Sequence, residues 1–349
     1  MRELTLLLLV ALAGCGPKVD KFVATRVVDR GAPVPDVDMV CELGVSLAHP
    51  LAALGSERRP PHKALIIAEA ASGMCLQPEV WEAELLGIRS RRNLVALGEG
   101  RTAEVKDARL REKRAHAAAA DRFYRAYLRM EQAFGVVGEG CPALKERDEL
   151  VYLLGLYAGT FGLLHDRRSG GEVGVPLDTI AHIARGSVCL DDAEWWSVPG
   201  ALQAAWWTLI PGSEPDGVDP WQSLEERAAA GDRSGVRLAR ALQVVLADNA
   251  GRQDLVAAGI RAHAQALKDT PADPEWALFD EYARLVTLHE SDLIWTEDRG
   301  HRAAALGDLP GPDPVEEPAS PLPFEGDPFG EDPFAEPAPP SPPTDESGD

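Results

Sequence analysis

The sequence predicts an all-α fold made of stacked antiparallel helix pairs, an α-solenoid, followed by a disordered tail. Three observations support this prediction. Apolar residues recur at helical spacing along most of the 349-residue chain. Proline recurs where a helix would begin, and strand patterning is nearly absent. The solenoid would be tetratricopeptide-like, although the sequence contains no clean 34-residue consensus that would prove a regular repeat array.

The first residues are typical of an export signal. Leu4 to Gly14 is an almost unbroken apolar run of 11 residues, whereas a transmembrane helix needs about 20. A short apolar core followed by small residues is typical of a signal peptide, predicted here over 1–14. Leu12-Ala13-Gly14-Cys15 resembles the bacterial lipobox, so Cys15 is the predicted lipid anchor. By the same resemblance, Gly16 in place of Asp favours the outer membrane, with the protein facing the periplasm.

The helices follow a predicted anchor linker over 15–35, which contains the clearest strand signal, Lys21 to Asp29. Proline suits the first helical turn because its fixed φ fits and its missing N–H is not needed there. Asp219 and Asp273 precede two such prolines as N-cap residues. The helical domain is predicted over 36–306. Its predicted helices span 36–53, 62–76, 78–98, 102–134, 143–165, 176–190, 199–209, 219–230, 234–248, 251–268 and 274–288, with 292–305 as a further candidate.

Four cysteines remain besides Cys15, and an even number in an exported protein favours disulfides. Cys41 lies near the start of the first predicted helix and Cys75 near the end of the second, so an antiparallel hairpin brings them together. Cys141 and Cys189 occupy the same places in the hairpin of the fifth and sixth helices. The sequence therefore predicts Cys41–Cys75 and Cys141–Cys189. The alternative is four free, buried cysteines.

The composition changes sharply at residue 307. Residues 307–349 hold 13 of the 28 prolines and 12 acidic residues but no Lys or Arg, a composition that buries too little apolar surface to fold. Phe324, Phe329 and Phe334 are either short binding motifs or chance apolar residues in a solubilising tail. The formal net charge of the whole chain is −21, so nucleic acid, which requires cationic contacts to phosphate, is not an expected partner.

The most apolar internal segment runs from Leu150 to Leu164 without a charge. Gly155 and Gly159 form a G-x-x-x-G pattern, with Gly162 close by, and small residues let another helix approach closely. Fifteen residues are too few to span a membrane. The segment is therefore predicted to be the central buried helix.

A basic stretch runs from Arg89 to Met130. Its cations are interleaved with acidic residues, which indicates a solvated helix with i,i+4 ion pairs. The alternative is a docking face for an acidic partner or for the acidic tail of this chain.

Four of the eight tryptophans lie between Cys189 and Gly212: Trp195, Trp196, Trp206 and Trp207. Because two adjacent side chains point in different directions from a helix, one ring of each pair is expected to face a groove or a partner. The functional interpretation is an aromatic-lined pocket for an apolar or cationic ligand. The alternative is an ordinary core.

Catalysis has little support in the sequence. It contains no H-E-x-x-H, no G-x-S-x-G and no phosphate-binding loop, and no metal-ligand spacing. The chain is therefore predicted not to be an enzyme, with no cofactor, no metal and no catalytic residue.

The stretch from about 118 to 295 contains "ADRFYRAYLRMEQAFG", "DELVYLLGLYAGTFGLL", "ARGSVCLDDAEWW" and "GALQAAWWTLIPG" in that order. This succession resembles the TatT-type tetratricopeptide lipoproteins associated with TRAP transporters. The resemblance implies a periplasm-facing helical-repeat lipoprotein that associates with a solute-binding protein, and it allows an apolar ligand.

Two functions are expected from these observations. The first is a membrane-anchored, non-catalytic scaffold that binds a partner protein, in the manner of an accessory of a transport system. The second is a carrier of a small molecule or lipid, with the tryptophans lining its pocket.

Overall fold

The computed structural model describes residues 16–54, 60–98 and 101–311, and within these ranges every regular element is a helix. The predicted all-α fold is confirmed. The chain begins with a helix over 16–31, here called the N-terminal helix, in which a π-helical stretch (Val23–Val27) separates α1 from α2. The elements are α1 (Gly16–Phe22), α2 (Val28–Gly31), α3 (Val37–Leu54), α4 (His62–Met74), α5 (Gln77–Leu97), α6 (Thr102–Phe134), α7 (Glu146–Ser169), α8 (Thr179–Ser187), α9 (Val198–Leu209), α10 (Pro220–Ser234), α11 (Leu238–Asn249), α12 (Gln253–Asp269) and α13 (Ala277–Arg299).

Neighbouring helices pack in pairs, as the sequence predicts. The pairs α3–α4, α6–α7, α9–α10 and α11–α12 each form extended contacts. α13 then packs on α11 and returns to α5 in the first half of the chain. The last helix therefore joins the two halves of the fold.

The central pair is α6 with α7, and α7 is buried along most of its length. The glycines of α7 face large side chains of α6: Gly155 lies against Met130 and Gly159 against Tyr127, while Gly162 lies against the backbone of Tyr124. This arrangement confirms the prediction of a buried helix that another helix approaches closely.

Both predicted disulfides are present. Cys41 is bonded to Cys75 with a Cα–Cα distance of 4.9 Å, which joins α3 to the end of α4. Cys141 is bonded to Cys189 across 5.3 Å, which joins the approach to α7 with the end of α8. Each bond closes a pair of successive helices, because the ends of an antiparallel hairpin are neighbours.

A buried arginine ties the last three helices together. The Arg237 side chain is fully buried and donates to Asp280 at 2.7 Å and to the carbonyl oxygen of Ala266 at 2.8 Å. The backbone N–H of Arg237 also donates to Asp280 at 3.0 Å. One guanidinium thus connects the start of α11 with α13 and the last turn of α12.

The predicted strand signal at Lys21–Asp29 is wrong, since these residues belong to the N-terminal helix. Valine favours strands only weakly, and tertiary packing overrides that preference. Val23 is buried in a cluster with Leu51 and Leu65, and Asp20 accepts a hydrogen bond from the N–H of Ala64 at 2.8 Å. The expected linker over 15–35 is therefore a packed helix over most of its length.

The predicted helices 274–288 and 292–305 are in fact one helix, α13. The polar residues between them do not interrupt it: His289 and Glu290 are buried, and Nε2 of His289 lies 2.6 Å from a carboxylate oxygen of Glu84. The predicted acidic tail, including Phe324, Phe329 and Phe334, lies outside the described residues beyond 311. Of the helices in the described ranges, none combines the length and apolar character that a membrane span requires.

We expect Gly155→Ala to lower the free energy of unfolding by about 1–3 kcal/mol, the usual effect of overpacking a core. A Cβ at residue 155 would lie 2.7 Å from the Cβ of Met130, an atom that moves only if its backbone moves. Denaturant unfolding followed by circular dichroism measures the change.

The matched control is Gly31→Ala, whose added methyl meets no atom within 4 Å. This variant should leave the free energy of unfolding unchanged or raise it slightly, since Ala is the better helix former. Equal stability of the two variants would contradict the close approach of α6 and α7.

Candidate functional site

An open groove of about 770 Å³ lies beside the N-terminal helix. We call it the N-terminal groove. Its volume lies within the range of about 300–1,000 Å³ that is typical of small-molecule sites. It is bounded by the N-terminal helix, α3 and α4, with a floor from α7 and α13.

The lining of the N-terminal groove is almost entirely apolar. Each bounding helix contributes one face of valine, leucine, isoleucine, methionine, phenylalanine or alanine side chains, as expected of an amphipathic helix. The apolar lining residues are Phe22, Val23, Val27, Val28, Ala32, Met39, Val40, Leu43, Leu47, Ile67, Ala68, Ala70, Ala71, Met74, Leu154, Leu278 and Phe279.

Local features of the sequence hold the walls in place. Gly44 lets α3 lie close to α4, because a Cβ there would meet the backbone of Ser72 at 2.8 Å. The Cys41–Cys75 disulfide joins the same two helices. The N–H of Leu278 donates to the carbonyl oxygen of Ala32 at 2.9 Å, which fixes the segment after α2 to α13.

The N-terminal helix contributes a π-helical stretch to the groove. Val23, Arg26 and Val27 lie within it, and all three line the groove. π-helical turns are rare and occur frequently at functional sites. This local irregularity therefore falls on the wall of the N-terminal groove.

Several large apolar side chains remain exposed around the N-terminal groove. Phe22 is 60%, Met39 52% and Leu43 41% exposed, and all three line the groove. Single exposed apolar side chains are common, but a contiguous group is a sign of a binding surface. The sequence does not predict this site, because it predicts a linker over 15–35. The signal was present in the run of valines from Val19 to Val28.

The four tryptophans pack against the main core. Trp195 and Trp196 are each 5% exposed and pack edge-to-face on each other and on Trp276. Trp206 and Trp207 are partly buried against the same core. None of the four lines the N-terminal groove, and a ligand role for these tryptophans stays a prediction.

Other predicted site residues have mixed outcomes. Cys15 lies outside the described residues, so its lipidation stays a prediction. The four disulfide cysteines pair as predicted. In the basic stretch, Arg111 pairs with Asp107 at 2.9 Å, four residues apart, as a solvated helix predicts. No group of three or more His, Cys, Asp or Glu within the described ranges is placed to hold a metal ion.

A cluster of ionisable side chains lies inside the fold, around Glu84. Glu84 accepts a hydrogen bond from Arg168 at 2.5 Å, and its other oxygen lies 2.6 Å from Nε2 of His289. Nε2 of His116 is 3.2 Å from Glu84, and Nδ1 of His116 is 2.9 Å from Nδ1 of His165. α5, α6, α7 and α13 thus meet at one carboxylate. We call these five residues the Glu84 network.

Burial and pairing shift the pKa of Glu84 in opposite directions. Burial would raise the pKa of Glu84, but contacts with His116 and His289 and the charge of Arg168 hold this pKa well below its usual value. Burial raises the pKa of the neighbouring Glu290 well above its usual value, reinforced by nearby carboxylates. The adjoining cavity is about 30 Å³, which is room for one or two water molecules. The network therefore ties helices together and offers no space for a substrate.

Comparison of the chain with known protein families, with curated proteins and with solved structures gives no match. The resemblance to TatT-type lipoproteins therefore stays a prediction.

Acid is expected to destabilise the fold between about pH 6.5 and pH 3. Burial, with the charges of His116 and Arg168, lowers the pKa of His165 to about 3. Burial and nearby arginines lower the pKa of His263 to about 3. In this range the unfolded chain binds protons that the folded chain does not. Each histidine therefore lowers the free energy of unfolding by about 1.4 kcal/mol per pH unit as the pH falls.

Denaturant unfolding at a series of pH values measures this dependence. His165→Gln and His263→Gln should each reduce the slope of unfolding free energy against pH. His49→Gln, at an exposed position, should leave the slope unchanged. If the double variant of His165 and His263 has the wild-type slope, the folded protein does not lower the pKa of either histidine.

Proposed function

We propose that this chain is a non-catalytic carrier of an apolar small molecule or lipid, attached to the bacterial envelope. The observation that carries the proposal is the N-terminal groove, with its volume of about 770 Å³ and its apolar lining. Binding of an apolar molecule in such a groove removes apolar surface of the molecule and of the groove lining from water. This burial is favourable by about 25 cal/mol per Å² of apolar area. Binding needs no reactive group.

The envelope location rests on the N-terminal sequence. A lipidated Cys15 would hold the protein at a membrane, facing the periplasm if that membrane is the outer one, and two or more acyl chains anchor stably. The Cys41–Cys75 and Cys141–Cys189 disulfides support an oxidising compartment, because such bonds persist outside the reducing cytosol.

A second candidate function is a scaffold for a partner protein, with a solute-binding protein of a transport system as the partner class that the family resemblance implies. The exposed Phe22, Met39 and Leu43 favour it, because an amphipathic helix of a partner can insert apolar side chains into such a groove. Both functions use the N-terminal groove, so the same variants test both.

The groove is tested by filling it. Gly31 lines the groove with open space where a side chain would begin, so Gly31→Trp should place an indole ring inside without disturbing the helix. Native mass spectrometry of the full chain, purified from membranes in mild detergent, should show a retained apolar molecule in the wild type. We expect the molecule to be lost from Gly31→Trp and kept in Gly31→Ala.

Val95→Trp is a second control, since Val95 is 88% exposed and does not line the groove. If Gly31→Trp and Val95→Trp retain the same molecule as the wild type, the ligand is bound elsewhere and the groove is not its site. If instead the wild type retains no small molecule but captures a protein that Gly31→Trp loses, the scaffold function replaces the carrier function.

Lipid anchoring has its own test. We expect the wild-type chain to incorporate radioactive palmitate and to fractionate with membranes, and Cys15→Ala to do neither, because the thiol is the acylation site. Absence of label from both proteins, with both in the cytosol, would remove the envelope location and leave the carrier proposal to the groove alone.

A further inference from the structure

The charged residues of the N-terminal groove are few and asymmetrically placed. Among the residues that the structure describes, its lining contains three charged side chains, Arg26, Arg30 and Glu42. The two arginines lie on the N-terminal helix and Glu42 lies on α3. Every other lining residue is apolar, apart from Ser46 and two glycines. Charge recognition in this groove therefore depends mainly on Arg26 and Arg30.

Arg26 and Arg30 are four residues apart, so their side chains are neighbours on one helix face. Both are exposed. Neither guanidinium has an ion-pair or hydrogen-bond partner within residues 16–54, 60–98 and 101–311. Arg109 and Arg114 on α6 are also exposed and have no such partner there, so what distinguishes Arg26 and Arg30 is their place beside the groove. The groove thus has two unpaired guanidinium groups beside its apolar lining.

We propose that the N-terminal groove binds a single-chain amphiphile with an anionic head, whose apolar chain lies in the groove and whose head contacts Arg26 and Arg30. The guanidinium fork matches a carboxylate or phosphate in geometry and forms charge-assisted hydrogen bonds with it. This inference rests on the proposed carrier function and specifies the class of ligand.

The dimensions of the groove fit a single-chain amphiphile. A volume of about 770 Å³ suits a molecule of drug size, the size class to which a fatty acid belongs. Glu42 also affects the orientation of the ligand, since a carboxylate on α3 repels an anionic head from that side of the groove. The head is thereby directed to the N-terminal helix.

The experiment uses the full chain reconstituted in vesicles of phosphatidylcholine, a lipid without net charge. A photoreactive fatty acid and the alcohol with the same photoreactive chain are added separately and cross-linked. Labelled peptides are identified by mass spectrometry. We expect the acid to label peptides from 16–31, 37–54 and 62–74, and to label them more strongly than the alcohol does.

The matched variants remove two positive charges each. Arg26→Gln with Arg30→Gln should reduce labelling by the acid about fivefold, the effect of losing about 1 kcal/mol of exposed charge interaction, and should leave labelling by the alcohol unchanged. Arg109→Gln with Arg114→Gln, exposed on α6 away from the groove, should change neither. Unlabelled palmitate and unlabelled lysophosphatidate, added as competitors, show whether the anionic head is a carboxylate or a phosphate.

Two failures are distinguishable. If the acid and the alcohol label the groove equally in the wild type and in the Arg26 and Arg30 variant, the anionic head is wrong while the carrier function stands. If neither probe labels the groove, both proposals are wrong. A cross-link from the groove to residues 307–349 in place of the probe would assign the groove to the acidic tail of this chain and overturn the amphiphile.

Discussion

The close approach of α6 to α7 is the constraint on which the rest of the fold depends. Three glycines on one face of α7 remove the side chains that would keep the two helices apart, so that Gly155 meets Met130 and Gly159 meets Tyr127. The same antiparallel register places His116 beside His165 further along the pair. α4 and α5 pack on α6, and α8 packs on α7. A change in the distance between the two central helices would therefore alter the core of both halves at once.

The Glu84 network and the N-terminal groove contribute differently to stability. The Glu84 network brings four helices together through buried ionisable side chains that contact each other. In the N-terminal groove, no element within residues 16–54, 60–98 and 101–311 covers the apolar lining. Buried charges specify which helices meet, because an unpaired one is costly, whereas an uncovered apolar groove adds no stability until something occupies it. The network is therefore a structural feature and the groove is the better candidate for a function.

Periodicity and hairpin geometry made most of the helices and both disulfides predictable. The spacing of Gly155, Gly159 and Gly162 likewise indicated a close helix contact. Helix starts were less certain, because Pro142, Pro176 and Pro274 precede their helices and do not begin them. The groove was not predictable, since its floor comes from α7 and α13, which are distant in sequence from its walls, and since the sequence predicts a linker where the first wall lies. The burial of Trp195 and Trp196 was not predictable for a related reason: burial depends on neighbours that a local pattern does not contain.

The disulfide between α3 and α4 limits how the groove can open. Two of its three walls are covalently joined through Cys41 and Cys75, whereas the third wall, the N-terminal helix, is held by noncovalent contacts such as that of Asp20 with the N–H of Ala64. Widening the N-terminal groove therefore requires the N-terminal helix to move away from α3 and α4. The C-terminal end of this helix is fixed, since the carbonyl oxygen of Ala32 accepts the N–H of Leu278, so the end that moves is the one that starts one residue after Cys15. With Cys15 as the proposed lipid anchor, a pull on the anchor would act on the moving end of that wall.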